Sequence, residues 1–351
     1  MLINRDREGK IGMINAEPVT KGEIILSLKE QLRNEGIAHS HVGLPRDIDL
    51  SSYNGVLRAR VSIPALNIQV NSVAFEGWVL ALKTWLPDLT TKVELDFPFP
   101  SDYSMGVLGN SEACHFNRFL YRTANFLRLF PDWFSLDEGL REKVKEFGQW
   151  LKKEPCYLNQ PLRERKSVPQ TKNIERKIES WFTFEEGKEL LCECWGLNRE
   201  KLFNQLPVGV FHKTIEEKTA IFTRGAAAID LGGISEDGKT LHIIELKSGN
   251  NINIGVISET LFYTAVIHDT CIAMDNLFKF GRYKRSLQTE AMITIQNGGR
   301  KFEHLHSHIL AERYHPLFSH DVMNLLASSL SRLGIKFDRA KYDYKNRRLL
   351  A

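Results

Sequence analysis

The alternation of apolar and polar residues predicts a mixed α/β chain with two parts. In the N-terminal part, apolar residues at helical spacing predict helices at 22–36, 114–130 and 140–154. Alternation with a period of two predicts strands at 55–63 and 92–100, and the stretch 67–75 is a candidate partner for the first of them.

The C-terminal part has a clearer order of elements. The pattern predicts a helix at 173–182 with an extension over 185–196, strands at 208–213, 226–232 and 241–247, a helix at 255–268, a strand at 291–296, a helix at 320–334 and a last strand at 335–344. Between the two parts, 155–171 contains three prolines and a basic cluster and is interpreted as a linker. We therefore expect an α+β domain over 1–160 and an α/β domain over 161–351.

The composition is that of a globular protein. Of the 351 residues, 42% are hydrophobic and 26% are charged. No uncharged apolar run has the length of a membrane span, and the N-terminus lacks the apolar segment of a secretory signal. The five cysteines are scattered and odd in number, so we expect reduced thiols in a cytoplasmic protein.

The net charge of +4 is concentrated in the C-terminal part. It includes basic runs at 163–166, 282–285 and 345–348, which suit a polyanionic partner such as nucleic acid. A solvated basic surface is the alternative explanation for each single run.

The stretch Gly233–Thr240 matches the literal pattern of a phosphate-binding loop, G-x-x-x-x-G-K-T. Such a loop must lead into a helix, whose N-terminus then faces the phosphates. Here the following residues, LHIIELK, are typical of a strand, and Glu236 and Asp237 would repel a phosphate. The Asp237-Gly238 pair instead predicts a hairpin turn between two strands, which argues against an ATPase.

Three residues of that hairpin carry candidate chemistry. Glu245 and Lys247 are two apart on a strand and face the same side, and Asp230 ends the preceding strand. Two adjacent carboxylates are unfavourable unless a cation lies between them, and Mg²⁺ prefers such oxygen ligands. A bound metal ion lowers the pKa of water and offsets the charge on a phosphate, and a nearby ammonium can assist.

Asp230 followed by Glu245-Leu246-Lys247 resembles the PD-(D/E)xK nuclease superfamily, over roughly residues 172–300. The resemblance implies a restriction-endonuclease-like αβββαβ core and a Mg²⁺ cofactor, with Mn²⁺ as a substitute. Asp230, Glu245 and the backbone carbonyl of Leu246 would bind the metal, and Lys247 would be the catalytic lysine. Ile229 stands where the motif name has proline.

The resemblance also suggests further site residues. Many members add a carboxylate from the first core helix; Glu175 and Glu179 share one face of the predicted helix, and Glu179 is preferred because it adjoins apolar residues. Glu259-x-x-x-Tyr263 resembles the Q-x-x-x-Y signature of the RecB-like branch, with Glu in place of Gln. The candidates for nucleic-acid binding are Tyr263, Arg282, Lys284 and Arg285.

Two other groups of residues have alternative interpretations. His304, His306 and His308 could share one strand face, but histidines adjacent on one strand rarely give the tetrahedral geometry of zinc, so we expect surface or groove histidines. The helix over 114–130 carries Arg118, Arg122 and Arg128, which either contact phosphates or form the charged rim of a core helix.

Taken together, these features predict a cytoplasmic, Mg²⁺-dependent nuclease acting on DNA rather than RNA, with the N-terminal part recognising the substrate or a partner. A role in defence, restriction or repair is an analogy at the level of the family. The alternative is a nucleic-acid-binding or assembly protein that keeps the fold without turnover. A homodimer or a partner protein is left open, and no membrane association is expected.

Overall fold

The computed structural model describes residues 17–40, 42–61, 74–99, 103–159, 173–184, 186–222, 227–249, 252–281, 290–297 and 302–350. The helices are α1 (Lys21–Asn34), α2 (Phe75–Trp85), α3 (Ser111–Leu129), α4 (Glu138–Lys153), α5 (Ile174–Phe184), α6 (Gly187–Trp195), α7 (Gly255–Cys271), α8 (Glu290–Asn297) and α9 (His320–Ser331). The strands are β1 (Val19–Thr20), β2 (Ile48–Tyr53), β3 (Val56–Val61), β4 (Lys92–Asp96), β5 (Phe134–Leu136), β6 (Cys156–Leu158), β7 (Leu197–Pro207), β8 (Val210–His212), β9 (Ala228–Ser235), β10 (Thr240–Lys247), β11 (Phe278–Phe280), β12 (His304–Ala311), β13 (Ile335–Asp343) and β14 (Arg348–Leu350). These elements make a mixed α/β protein.

The N-terminal elements form a sheet in the order β1-β2-β3-β4-β5, with β1 to β3 antiparallel and β3 to β5 parallel. The predicted helices correspond to α1, α3 and α4, and the predicted strands at 55–63 and 92–100 correspond to β3 and β4. The candidate strand at 67–75 lies mostly outside the described residues, and its last residue, Phe75, begins α2.

The C-terminal sheet has the order β14-β13-β12-β10-β9-β7. Strands β7, β9 and β10 are antiparallel neighbours, whereas β12 runs parallel to β10 and β13 parallel to β12. The predicted hairpin joins β9 to β10: Gly238 has a φ of +75°, and the Lys239 amide donates to Asp237 Oδ1 over 3.0 Å. Because Thr240 begins a strand and not a helix, the phosphate-binding-loop interpretation is excluded.

Three predicted elements are wrong in type or place. The first strand of this sheet is β7, whereas the segment predicted as a strand at 208–213 forms the short β8 in a separate sheet with β6 and β11. The segment predicted as a strand at 291–296 is helix α8, in which Ala291 and Ile295 are both buried four positions apart. The proposed linker begins with β6, and its remainder from 160 onward lies outside the described residues.

Helix α7 is the element through which the two parts of the chain meet. Every one of its residues is buried, as expected for a helix that is covered on all sides. It packs against α2 and α3 on one side and against β10 and β12 on the other. One hydrophobic cluster accordingly includes residues from both parts of the chain. The division near residue 160 stays a prediction.

A buried ion pair stabilises this junction. Arg122 of α3 donates to both carboxylate oxygens of Glu76 in α2, with 2.7 Å from Nε to Oε1, and Ser258 of α7 donates to Glu76 over 2.9 Å. The interpretation of α3 as a core helix is therefore correct for Arg122, which is 3% exposed. Arg128, in contrast, is partly exposed beside Asp269.

All five cysteines are free thiols. Within the described ranges, no helix combines the length and the apolar character that a bilayer span requires.

The buried ion pair gives a prediction about stability. Replacing Arg122 with methionine leaves Glu76 buried without its cation, which should lower the free energy of unfolding by about 3–5 kcal/mol. Arg58→Met is the matched control, because Arg58 pairs with Glu94 at 3.3 Å on the surface with a side chain 72% exposed. That control should lose less than about 1 kcal/mol. Urea unfolding measures the loss in each variant. Equal losses would show that the buried pair stabilises the protein no more than the surface pair does.

Candidate active site

The hairpin places the two predicted acids next to each other. Leu231 of β9 pairs with Ile244 of β10, so Asp230 and Glu245 are the next residues along this antiparallel pair. The backbone amide of Leu246 donates to Asp230 Oδ2 over 2.9 Å, which fixes the Asp230 carboxylate against β10. The structure thus brings together the acids that the sequence only suggests are close.

Lys247 lies between two buried carboxylates. Its Nζ contacts Glu245 Oε1 and lies 2.9 Å from Glu259 Oε2 of α7. All three side chains are at most 6% exposed. Burial by itself would lower the pKa of Lys247, but the charges of Glu245 and Glu259 outweigh it and hold that pKa well above its ordinary value. The lysine is therefore an ammonium at neutral pH.

Burial disfavours the charged forms of Asp230 and Glu245, and the ammonium of Lys247 offsets this effect only in part. Burial, which Lys247 only partly offsets, raises the pKa of Asp230 to about 6. Burial, reinforced by the charges of Asp230 and Glu259, raises the pKa of Glu245 well above its ordinary value. Both acids are therefore harder to ionise than free carboxyl groups, and a cation beside them would offset that cost.

Glu179 of α5 joins these acids through an amide side chain. Gln205 Nε2 of β7 lies 3.0 Å from Glu179 Oε2 and 3.4 Å from Asp230 Oδ1. Burial and then the charge of Asp230 raise the pKa of Glu179 to about 7. Gln205 has a φ of +55°, a left-handed conformation that is costly for this residue and frequent at functional sites. The other candidate from α5, Glu175, instead accepts hydrogen bonds from Ser248 at 3.3 Å.

The predicted nucleic-acid-binding residues are only partly described. Tyr263 is buried, and its hydroxyl lies 3.4 Å from Glu259 Oε1. Arg282, Lys284 and Arg285 lie outside the described residues, as does the basic run at 163–166. That these residues bind nucleic acid stays a prediction.

Two residues beside the acids have contacts that the sequence did not indicate. Gln205 had no signal, because its strand was not predicted. Glu259 carried a signal, the Glu-x-x-x-Tyr pattern, but nothing in the sequence indicated that its carboxylate would hold Lys247. A further cation, Arg118 of α3, lies close enough for its charge to interact with Glu259 and Tyr263. The N-terminal part of the chain therefore contributes to the surroundings of this site.

The histidines of β12 differ from the expected surface residues. His304 is exposed, but His306 is half-buried and His308 is fully buried. His308 Nε2 lies 3.0 Å from Nδ1 of His242, a β10 residue that the analysis of the sequence did not single out. The expectation of surface or groove histidines is therefore wrong for His308, whose ring is covered by Trp195 of α6.

The acids fit a hard divalent cation by their chemistry. Asp230 and Glu245 offer carboxylate oxygens, the ligand type that Mg²⁺ prefers. Among the described residues, no donor group reaches the buried Oε2 of Glu245. A buried carboxylate oxygen without a donor is costly, and a metal ion would satisfy it. Glu179 is linked to Asp230 through the Gln205 side chain, so Glu179 lies beside Asp230 and Glu245.

Comparison with known proteins adds no relative to this description. No protein-family profile, curated protein or solved structure matches the chain.

The raised pKa of Glu179 predicts how stability depends on pH. Folding raises this pKa from 4.5 to about 7, so its contribution to stability is fully present below pH 4.5 and is lost as the pH rises through about 7. We therefore expect the free energy of unfolding of the wild type to fall across this window. Glu179→Gln should fall less steeply, because glutamine does not ionise.

Urea unfolding at pH 4.5, 5.5, 6.5 and 7.5 measures this slope. The matched control is Glu200→Gln, which removes an exposed acid from the same strand as Gln205 and should keep the slope of the wild type. Parallel profiles for the wild type and Glu179→Gln would show that Glu179 does not titrate in this window.

Proposed function

We propose that this protein is a metal-dependent nuclease that hydrolyses phosphodiester bonds, in DNA rather than RNA. The observation that carries the proposal is the group formed by Asp230, Glu245 and Lys247, in which the buried Oε2 of Glu245 has no donor among the described residues. Burying two acids beside an ammonium costs folding free energy, and such groups cluster at functional sites.

The order of elements around this group supports the proposal. Helix α5, strands β7, β9 and β10, helix α7 and strand β12 follow one another as αβββαβ, with α6, β8, β11 and α8 as additions. This is the order of the PD-(D/E)xK core that the motif resembles. The acids lie on the second and third of these strands, and Glu179 lies on the first helix.

In the proposed site, Asp230 and Glu245 would hold Mg²⁺, with Mn²⁺ as a substitute. The carbonyl of Leu246 would be a further ligand, and Glu179 lies beside the two acids. When bound, such an ion lowers the pKa of water and offsets charge on the phosphate. The protein contributes the arrangement of the carboxylates: the Leu246 amide orients Asp230, and Lys247 orients Glu245. Because the pKa values of both acids are raised, ion binding would favour their ionised forms.

Lys247 acts in this proposal as a fixed positive charge. Because its pKa is held well above the ordinary value, it is a poor base and a good electrostatic partner for the phosphate or the leaving oxygen. Glu259 keeps the ammonium in place from the other side, at 2.9 Å. In the proposal, the N-terminal part of the chain recognises the substrate or a partner, and the basic C-terminal part holds the nucleic-acid backbone.

Cleavage assays test the proposal directly. Supercoiled plasmid, linear duplex, single-stranded DNA and RNA are incubated with the wild type and Asp230→Asn, each with Mg²⁺ or Mn²⁺. Asparagine keeps the shape of Asp230 but loses its charge, so cleavage should drop by about 10²–10⁴-fold. Lys247→Met, which keeps the length of the side chain, should show a loss of similar size.

Lys239→Ala is the matched control, because Lys239 lies in the β9–β10 turn and pairs with the exposed Glu303 on the surface. It should cleave like the wild type. Circular dichroism of each variant separates loss of activity from loss of fold. Equal cleavage by the wild type and Asp230→Asn would assign the activity to another site.

A second candidate function is favoured by the same ion pairs. Lys247 is held by two buried carboxylates, an arrangement that also suits a structural network in a nucleic-acid-binding or assembly protein without turnover. This candidate predicts that a folded wild type cleaves none of the four substrates with either metal, and that Mg²⁺ does not raise its melting temperature.

A further inference from the structure

We propose that His242, His306 and His308 form a zinc-binding site on the face of the C-terminal sheet opposite the acids. One potential ligand nitrogen from each ring lies within 4.8 Å of the others. The proposed ion differs in class from Mg²⁺, because its ligands are imidazole nitrogens.

The pairing of two strands creates the group. His242 of β10 lies directly opposite His306 of β12, and His308 is two residues further along the same face. The rings of His306 and His308 have centroids 3.9 Å apart, and His242 Nδ1 lies 3.0 Å from His308 Nε2. Ligand nitrogens around a tetrahedral zinc ion are separated by about 3.3 Å, so small rotations of these side chains would suffice.

The state of the rings suits a metal ion better than a proton. Burial lowers the pKa of His242 to about 3 and that of His306 to about 4, so both imidazoles are neutral at neutral pH. His308 is completely buried, and its Nδ1 has no hydrogen-bond partner among the described residues. Three neutral imidazoles with an unsatisfied nitrogen offer lone pairs without the cost of removing protons.

The residues around the three histidines determine how accessible the group is to solvent. The ring of Trp195 at the end of α6 stacks on His308, with centroids 3.9 Å apart, and closes one side. His306 is half-buried and gives access from solvent. Since the described residues supply three ligands, the fourth position of a tetrahedral ion would be left to water or an anion. A bound ion would connect the two central strands β10 and β12.

Zinc titration of the metal-free protein against a chromophoric chelator tests the site. The wild type should bind one equivalent of Zn²⁺, and its melting temperature should rise with zinc. Because losing a group outside the ligand shell already costs about 10–100-fold in affinity, losing a ligand in His306→Ala should cost at least about 100-fold. His306→Asn, closer in volume, should show the same loss if the alanine variant unfolds.

His304→Ala is the matched control, because His304 is on the same strand but exposed and outside the group. It should bind zinc like the wild type. Asp230→Asn should also keep zinc affinity, which separates this site from the acids. The proposal is overturned if the wild type and His306→Ala bind zinc equally, or if Asp230→Asn abolishes binding. Either result leaves the nuclease proposal unaffected.

Discussion

The structure depends on the ammonium of Lys247 held between Glu245 and Glu259. An isolated buried ammonium would be unstable, and so would either carboxylate. Together they connect strand β10 to helix α7, which is covered on all sides by the two parts of the chain. The polar centre therefore fixes the position of the helix against the sheet. The centre also has a deficit of positive charge, because Asp230 and Glu179 lie close to the same ammonium. Both of these acids have raised pKa values.

The deficit is the physical reason to propose a cation at this centre rather than a purely structural role. A network of ion pairs that serves only stability gains most when charges balance and each oxygen has a donor. Here burial raises the pKa values of Asp230 and Glu245, and one buried oxygen of Glu245 has no donor among the described residues. Gln205 links Glu179 to Asp230 from a left-handed backbone position. Strain and incomplete satisfaction at one point are typical of a site built to bind.

The sequence predicted those features that depend on local chemistry. The Asp237-Gly238 turn indicated the hairpin, and the hairpin placed Asp230 beside Glu245. Strand β7 was missed because charged residues near its start and a register shift between Leu197 and Leu202 interrupt its alternation. Helix α8 was taken for a strand because its β-branched residues favour strands, and packing overrode that preference. The domain division and the nuclease core remain predictions.

The two proposed metal sites lie on opposite faces of the sheet, because side chains alternate between the faces along a strand. Residues 242 and 245 of β10 differ by an odd number, so their side chains leave opposite faces of the sheet. The packing agrees: Ile243 belongs to the cluster that includes α7, whereas Ile244 belongs to the cluster of α5 and α6. The histidine group could not be recognised within one segment, because it requires β10 and β12 to pair. The two ligand sets also favour different ions, since carboxylate oxygens suit Mg²⁺ and neutral imidazole nitrogens suit zinc.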